Sequence, residues 1–169
     1  MQHAELAALL VAASNAERQA LLKKNSALAD VQLARILKDI CLEGWSSNPD
    51  KALQAASVLQ LLSQTNADPE IAALYAWSAG LESLIQGQME VALGRLEDSH
   101  ARFLALDQPH TAAATQVSRV IALALLGRYD EAIARYRGSK MWRGRRAAGN
   151  STTFGNGNSG ISDGSIALG

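Results

Sequence analysis

Cys41 is the only cysteine of this chain, and His3, His100 and His110 are its only histidines. A thiol beside an imidazole can make a nucleophile and its base. Here no histidine stands near Cys41 in the sequence, and Cys41 falls inside a helical pattern, where it reads as a small buried apolar residue. The three histidines lie far apart, without the spacing of metal ligands. A single cysteine excludes an intramolecular disulfide framework and a cysteine-based zinc site. Ser118 and Asp107 form no nucleophile–base pattern. GNGNSG, Gly155 to Gly160, has neither the preceding strand nor the following Lys-Ser/Thr of a phosphate loop. These residues predict no enzyme, no catalytic residue, no cofactor and no metal. KMWRGRR, Lys140 to Arg146, is a basic cluster around Trp142. Phosphate contact with stacking on the ring is its possible chemistry. The simpler reading is a solvated basic segment beside an acidic body.

The elements that must carry these residues are helical. The 169 residues include 31 Ala and 24 Leu, both strong helix formers. Aromatic content of 5% argues against a β-sandwich. Hydrophobic content of 48% is ordinary for a globular domain, and the length suits one domain. The formal net charge of zero argues against a dedicated nucleic-acid binder. That zero is a cancellation. Residues 1–134 hold 10 Lys/Arg and 15 Asp/Glu, and residues 135–169 hold 6 Lys/Arg with Asp163 as the only acid. The tail also carries eight of the thirteen glycines and is rich in Ser and Asn. Such composition cannot offset its ordering entropy, so a flexible tail is expected over 138–169.

No membrane segment is expected. The longest apolar run, Val120 to Gly127, falls far short of the ~20 residues a bilayer requires. The apolar stretch Leu6–Ala13 lacks a preceding basic region, because the first basic residue is Arg18. A cytoplasmic location is the default expectation.

Helices are expected near 3–13, 15–25, 30–45, 49–64, 69–86, 88–107, 110–126 and 128–137. In Met89–Leu104 apolar residues recur at helical spacing, with Glu90, Arg95, Glu97, Asp98 and Arg102 on the other side. Ser14–Glu17 fits a capping box. Pro49, Pro69 and Pro109 each suit the first position of a helix. Short loops predict antiparallel neighbours.

A period of 40 residues runs through the array. Ala52, Ala92 and Ala132 align, each followed by Leu53, Leu93 or Ile133 and each preceded two positions earlier by Asp50, Glu90 or Asp130. Gly87 and Gly127 align at the turn, and Pro69 aligns with Pro109. Glycine there permits a left-handed helix end, and the small alanine lets paired helices approach. GRYDEAIARY, Gly127 to Tyr136, resembles the second half of a tetratricopeptide (TPR) repeat through Gly127, Tyr129, Ala132 and Tyr136. The preceding copy resembles it at Gly80, Gly87 and Ala92, with weaker matches at Ala79 and Leu96 and no aromatic at Ser83. The period of 40 departs from the family's 34. Residues 5–136 are also similar to the N-terminal TPR region of bacterial multidomain proteins that carry a caspase-like CHAT domain. No caspase-like region is present in this sequence.

The resemblance implies an all-α fold: antiparallel helix pairs stacked as a right-handed TPR-like α-solenoid. Residues 1–29 would pack on the array as N-terminal helices. Repeats are expected over 30–67, 68–108 and 109–137, and the tail over 138–169. The implied function is non-catalytic: a module binding a partner protein or peptide, as a helix or extended segment, on its concave groove. Carrying over the groove positions gives Leu74, Trp77, Leu81, Leu84 and Ile85 in one copy. Val117 and Ile121 follow in the next, with Ala114, Ala124 and Leu125. Two alternatives stand beside it. One is an oligomerising structural fragment that self-associates through an uncapped last repeat, at Ile121, Leu125, Ile133 and Tyr136. The other is a regulatory N-terminal region of a larger multidomain protein.

Overall fold

The computed structural model describes residues 2–138, which form an all-α protein of eight helices. They are α1 (His3–Ala12), α2 (Asn15–Lys24), α3 (Val31–Gly44), α4 (Pro49–Thr65), α5 (Pro69–Ile85), α6 (Met89–Ala105), α7 (Pro109–Leu125) and α8 (Tyr129–Gly138). From α3 to α8 each helix packs antiparallel against the next. In addition α1 lies on α3 and α4, and α3 lies on α5. No described helix is long and apolar enough to cross a membrane. The basic cluster Lys140–Arg146 and the Gly-rich tail lie outside the described residues.

Local chemistry sets the helix ends. The Glu17 carboxylate accepts the Ser14 amide at 2.8 Å, closing the expected capping box. Asp30, Asn48 and Asp68 accept the amides of Leu33, Lys51 and Glu70 and so cap α3, α4 and α5. Pro49, Pro69 and Pro109 open their helices, where a missing N–H costs nothing. One element escaped the helical pattern, a single 3₁₀ turn at Ser26–Leu28.

The helix register is finer than the 40-residue sequence period. α4 to α8 begin at residues 49, 69, 89, 109 and 129, twenty apart. Each of α4 to α7 has 17 residues, about 26 Å of helix, followed by three connecting residues. The last three connections share one turn. Gly87 and Gly127 adopt φ +74°, and Asp107 takes the same left-handed region at φ 55°. Gln88, Gln108 and Arg128 then donate their amides to Ser83, Phe103 and Leu123, five residues back, at 2.8, 2.9 and 2.9 Å. This is the Schellman arrangement, which satisfies carbonyls at a helix end. Aspartate tolerates the left-handed region better than most residues, so Asp107 serves where glycine stands in the other two turns.

The recurrent alanines are core residues: Ala52, Ala92 and Ala132 are 1%, 0% and 5% exposed. Gly80 marks a close approach of α5 to α6. A Cβ at that position would stand 2.7 Å from Cγ and Cδ2 of Leu96, itself fully buried. Gly80→Ala should therefore destabilise the protein by about 1–3 kcal/mol despite its better helix propensity. A Gly80→Ala/Leu96→Ala double variant should lose less than the two single losses added, because the second change removes the clash. Additive losses in urea titration would mean that α5 and α6 do not meet at this point.

Candidate functional site

The residues with intrinsic chemistry are dispersed. Among the described residues no group of three or more His, Cys, Asp or Glu could hold a metal. Cys41 is 1% exposed, and its Sγ donates to the Ala52 carbonyl at 3.4 Å. Burial pushes the thiol up to about 11, so it stays protonated and unreactive. His3 pairs with Asp30 at 3.1 Å across the start of α3. His100 bonds the Ala112 carbonyl through Nδ1 at 2.8 Å, joining α6 to α7. His110 is exposed at the start of α7. His3 thus ties α1 to the cap of α3, and His100 ties α6 to α7.

The expected groove residues on α5 are core residues. Leu74, Trp77, Leu81 and Leu84 are 2%, 3%, 2% and 5% exposed, and Ile85 is half-buried. The reason lies in both flanks of α5. From α3, the Lys38 ammonium stands 4.9 Å from the Trp77 ring centroid. From α7, the Ser118 hydroxyl accepts the Trp77 indole N–H at 3.1 Å. Phe103 of α6 meets the same ring edge-to-face, with centroids 6.2 Å apart. A partner cannot reach these four side chains without displacing a helix, so as accessible lining they are corrected here to core.

The positions forty residues later differ. On α7, Val117 and Leu125 are each 55% exposed, Ala114 is exposed and Ile121 is half-buried. On α8, Tyr129 and Ile133 are 63% and 47% exposed, whereas their counterparts Met89 and Leu93 on α6 are half-buried. α7 lies over α6 and touches α5, and no described helix takes the same place over α7 and α8. The side chain of Tyr136 lies outside the described residues. The result is an apolar surface of Val117, Ile121, Leu125, Tyr129 and Ile133.

Two buried arginines surround this architecture, and sequence reasoning missed both. Arg119 of α7 is 3% exposed; it pairs with Glu97 of α6 and donates to Gln116 at 3.1 Å. Arg135 of α8 approaches the same Glu97 carboxylate at 3.9 Å. Burial, with Arg135 nearby, pushes the Arg119 guanidinium down to about 10, so it stays charged at neutral pH. The sequence signal was available: Arg119 is the only Lys, Arg, Asp or Glu in α7. Arg18 of α2 is the other, 2% exposed.

A groove of about 320 Å³ opens beside α5. Ala72, Ala76 and Ala79 floor it, and Arg95, Asp98 and Arg102 of α6 wall it. Arg102 is paired with Asp98 at 2.7 Å, and Arg95 donates to the Ala79 carbonyl at 3.1 Å. Its charged groups are engaged within the chain. No family model matches this chain, and neither a curated protein nor a solved structure matches it.

Proposed function

We propose that this chain is a non-catalytic protein-interaction module of TPR-like build, binding an amphipathic helix on the apolar surface of α7 and α8. One observation carries the reading. Leu74, Trp77 and Leu81 on α5 are 2–3% exposed beneath neighbouring helices, whereas the residues forty later, Ala114, Val117 and Ile121, are open or half-open. α7 and α8 thus present a helix-pair surface of the kind that α5 and α6 bury under α7. An amphipathic helix recognises such a surface through anchors at i, i+3, i+4 and i+7. Exposed apolar side chains gathered on one helix pair are a mark of an interaction site. The TPR-like reading draws support from Gly80 against Leu96, the left-handed turns at Gly87 and Gly127, and the buried Ala52, Ala92 and Ala132. Val117 and Ile121 are the groove positions that keep this role.

The test is an NMR titration of the chain with a panel of amphipathic helical peptides. Bound peptides should shift the amides of Val117, Ile121, Leu125 and Ile133, and Val117→Glu should weaken them by at least about tenfold. Shifts confined to the groove between Ala72 and Arg102 would overturn the reading, as would equal binding by Val117→Glu.

A further inference from the structure

We infer that the partner on the α7–α8 surface is a second copy of this chain, related by a two-fold axis, giving a closed dimer. The inference rests on the helix-binding reading above and names its occupant. The first argument is charge. In a two-fold contact every group at the centre meets the same surface patch repeated, so a charge there faces its own kind. Arg119 is the only Lys, Arg, Asp or Glu in α7, and it is buried toward α6 on Glu97. The outward stripe of α7 therefore carries no Lys, Arg, Asp or Glu to repel its symmetry mate. At the α8 rim, Arg128 is already paired within the chain to Glu131 at 2.7 Å and to Glu90 at 3.3 Å.

The second argument is shape. Two α7 helices laid antiparallel about Arg119 bring Ala113 opposite Leu125 and Val117 opposite Ile121. Each larger side chain then faces a smaller one, as close packing of two like helices requires. The third argument is closure. The opposite end of the array is covered: α1 packs on α3 and α4, α2 packs on α4, and Leu6, Ala7 and Leu10 are fully buried there. With one open end among the described helices, the contact saturates as a dimer instead of extending into a fibre.

The experiment is sedimentation equilibrium of the full chain over roughly 1–300 μM, a range that detects modest apolar interfaces. The mass should rise from 17.9 kDa toward twice that value. Val117→Glu and Leu125→Glu should each weaken association by on the order of tenfold or more, because each buries an unpaired charge against an apolar side chain of the other copy. Circular dichroism should show unchanged helix content, since both positions are 55% exposed. Leu104→Glu, at an exposed position of α6, should leave association unchanged. A mass that stays at one chain, or grows beyond two, overturns the dimer, and so does a dimer indifferent to both substitutions. If the chain stays monomeric yet takes up helical peptides through Val117, the second copy is excluded and the helix-binding reading survives. If neither association nor peptide uptake occurs, both fail.

Discussion

Trp77→Ala should lower the unfolding free energy by about 3–5 kcal/mol, the range for truncating an enclosed large aromatic. Against a total stability of about 5–15 kcal/mol, that loss is severe. The magnitude follows from what the ring touches. Trp77 stands on α5 and meets Lys38 of α3, Phe103 of α6 and Ser118 of α7. Truncation would open a cavity at the junction of four helices, orphan the Ser118 hydroxyl and remove the cation–ring contact with Lys38. Trp77→Phe keeps most of the apolar bulk but not the indole donor, and should cost less, about 1–3 kcal/mol. Urea titrations measure both, and unchanged slopes would place the effect in the native state. A loss below ~1 kcal/mol for the alanine variant would mean that the ring is open to solvent. That result would return Trp77 to the role of groove lining.

Helix ends were legible in the sequence because capping is local chemistry. Asp68-Pro69-Glu70 and Ser14–Glu17 mark helix starts within a few residues, and the structure places α5 and α2 there. The twenty-residue register was legible to within one residue: helices expected from 49, 69, 88, 110 and 128 begin at 49, 69, 89, 109 and 129. Pro49, Pro69 and Pro109 announce three of the five helix starts, but α6 and α8 open on Met89 and Tyr129, which carry no such mark. Asp107 also hides its turn, because only glycine signals a left-handed residue reliably. The site was half legible for a related reason. Apolar spacing tells which face of α5 avoids water, but not whether solvent, a partner or a neighbouring helix covers it. Leu74 and Val117 both fit a groove position, and only the packing of α3 and α7 around α5 separates the buried one from the open one. The buried arginines escaped because arginine is ordinarily exposed, and burial of one depends on acceptors brought from distant segments.

Arg18→Met should cost about 3 kcal/mol and loosen the N-terminal pair before the rest of the protein. Arg18 is 2% exposed, and no carboxylate is among its bonded partners. Its guanidinium donates instead to the carbonyls of Leu10 and Val11 at the end of α1, to Asn15 of α2, and to Ser57 and Gln54 of α4. Burial alone pushes its pKa below the ordinary arginine value. One side chain thus satisfies the orphan carbonyls of α1 and fastens α2 to α4. Methionine restores the volume but leaves the carbonyls of Leu10 and Val11 and the Gln54 side chain short of a donor. Lysine should not rescue the loss, because one ammonium cannot span five acceptors in the planar fork geometry of a guanidinium. Hydrogen exchange in α1 and α2 should accelerate more than in α5 and α6, reporting local opening. The acceptors are neutral, so salt should leave the size of the effect unchanged, unlike that of the exposed Arg35–Glu70 pair. Uniform acceleration across all the helices would instead make Arg18 one more core contact, and the array would then lack a separable cover at its N-terminal end.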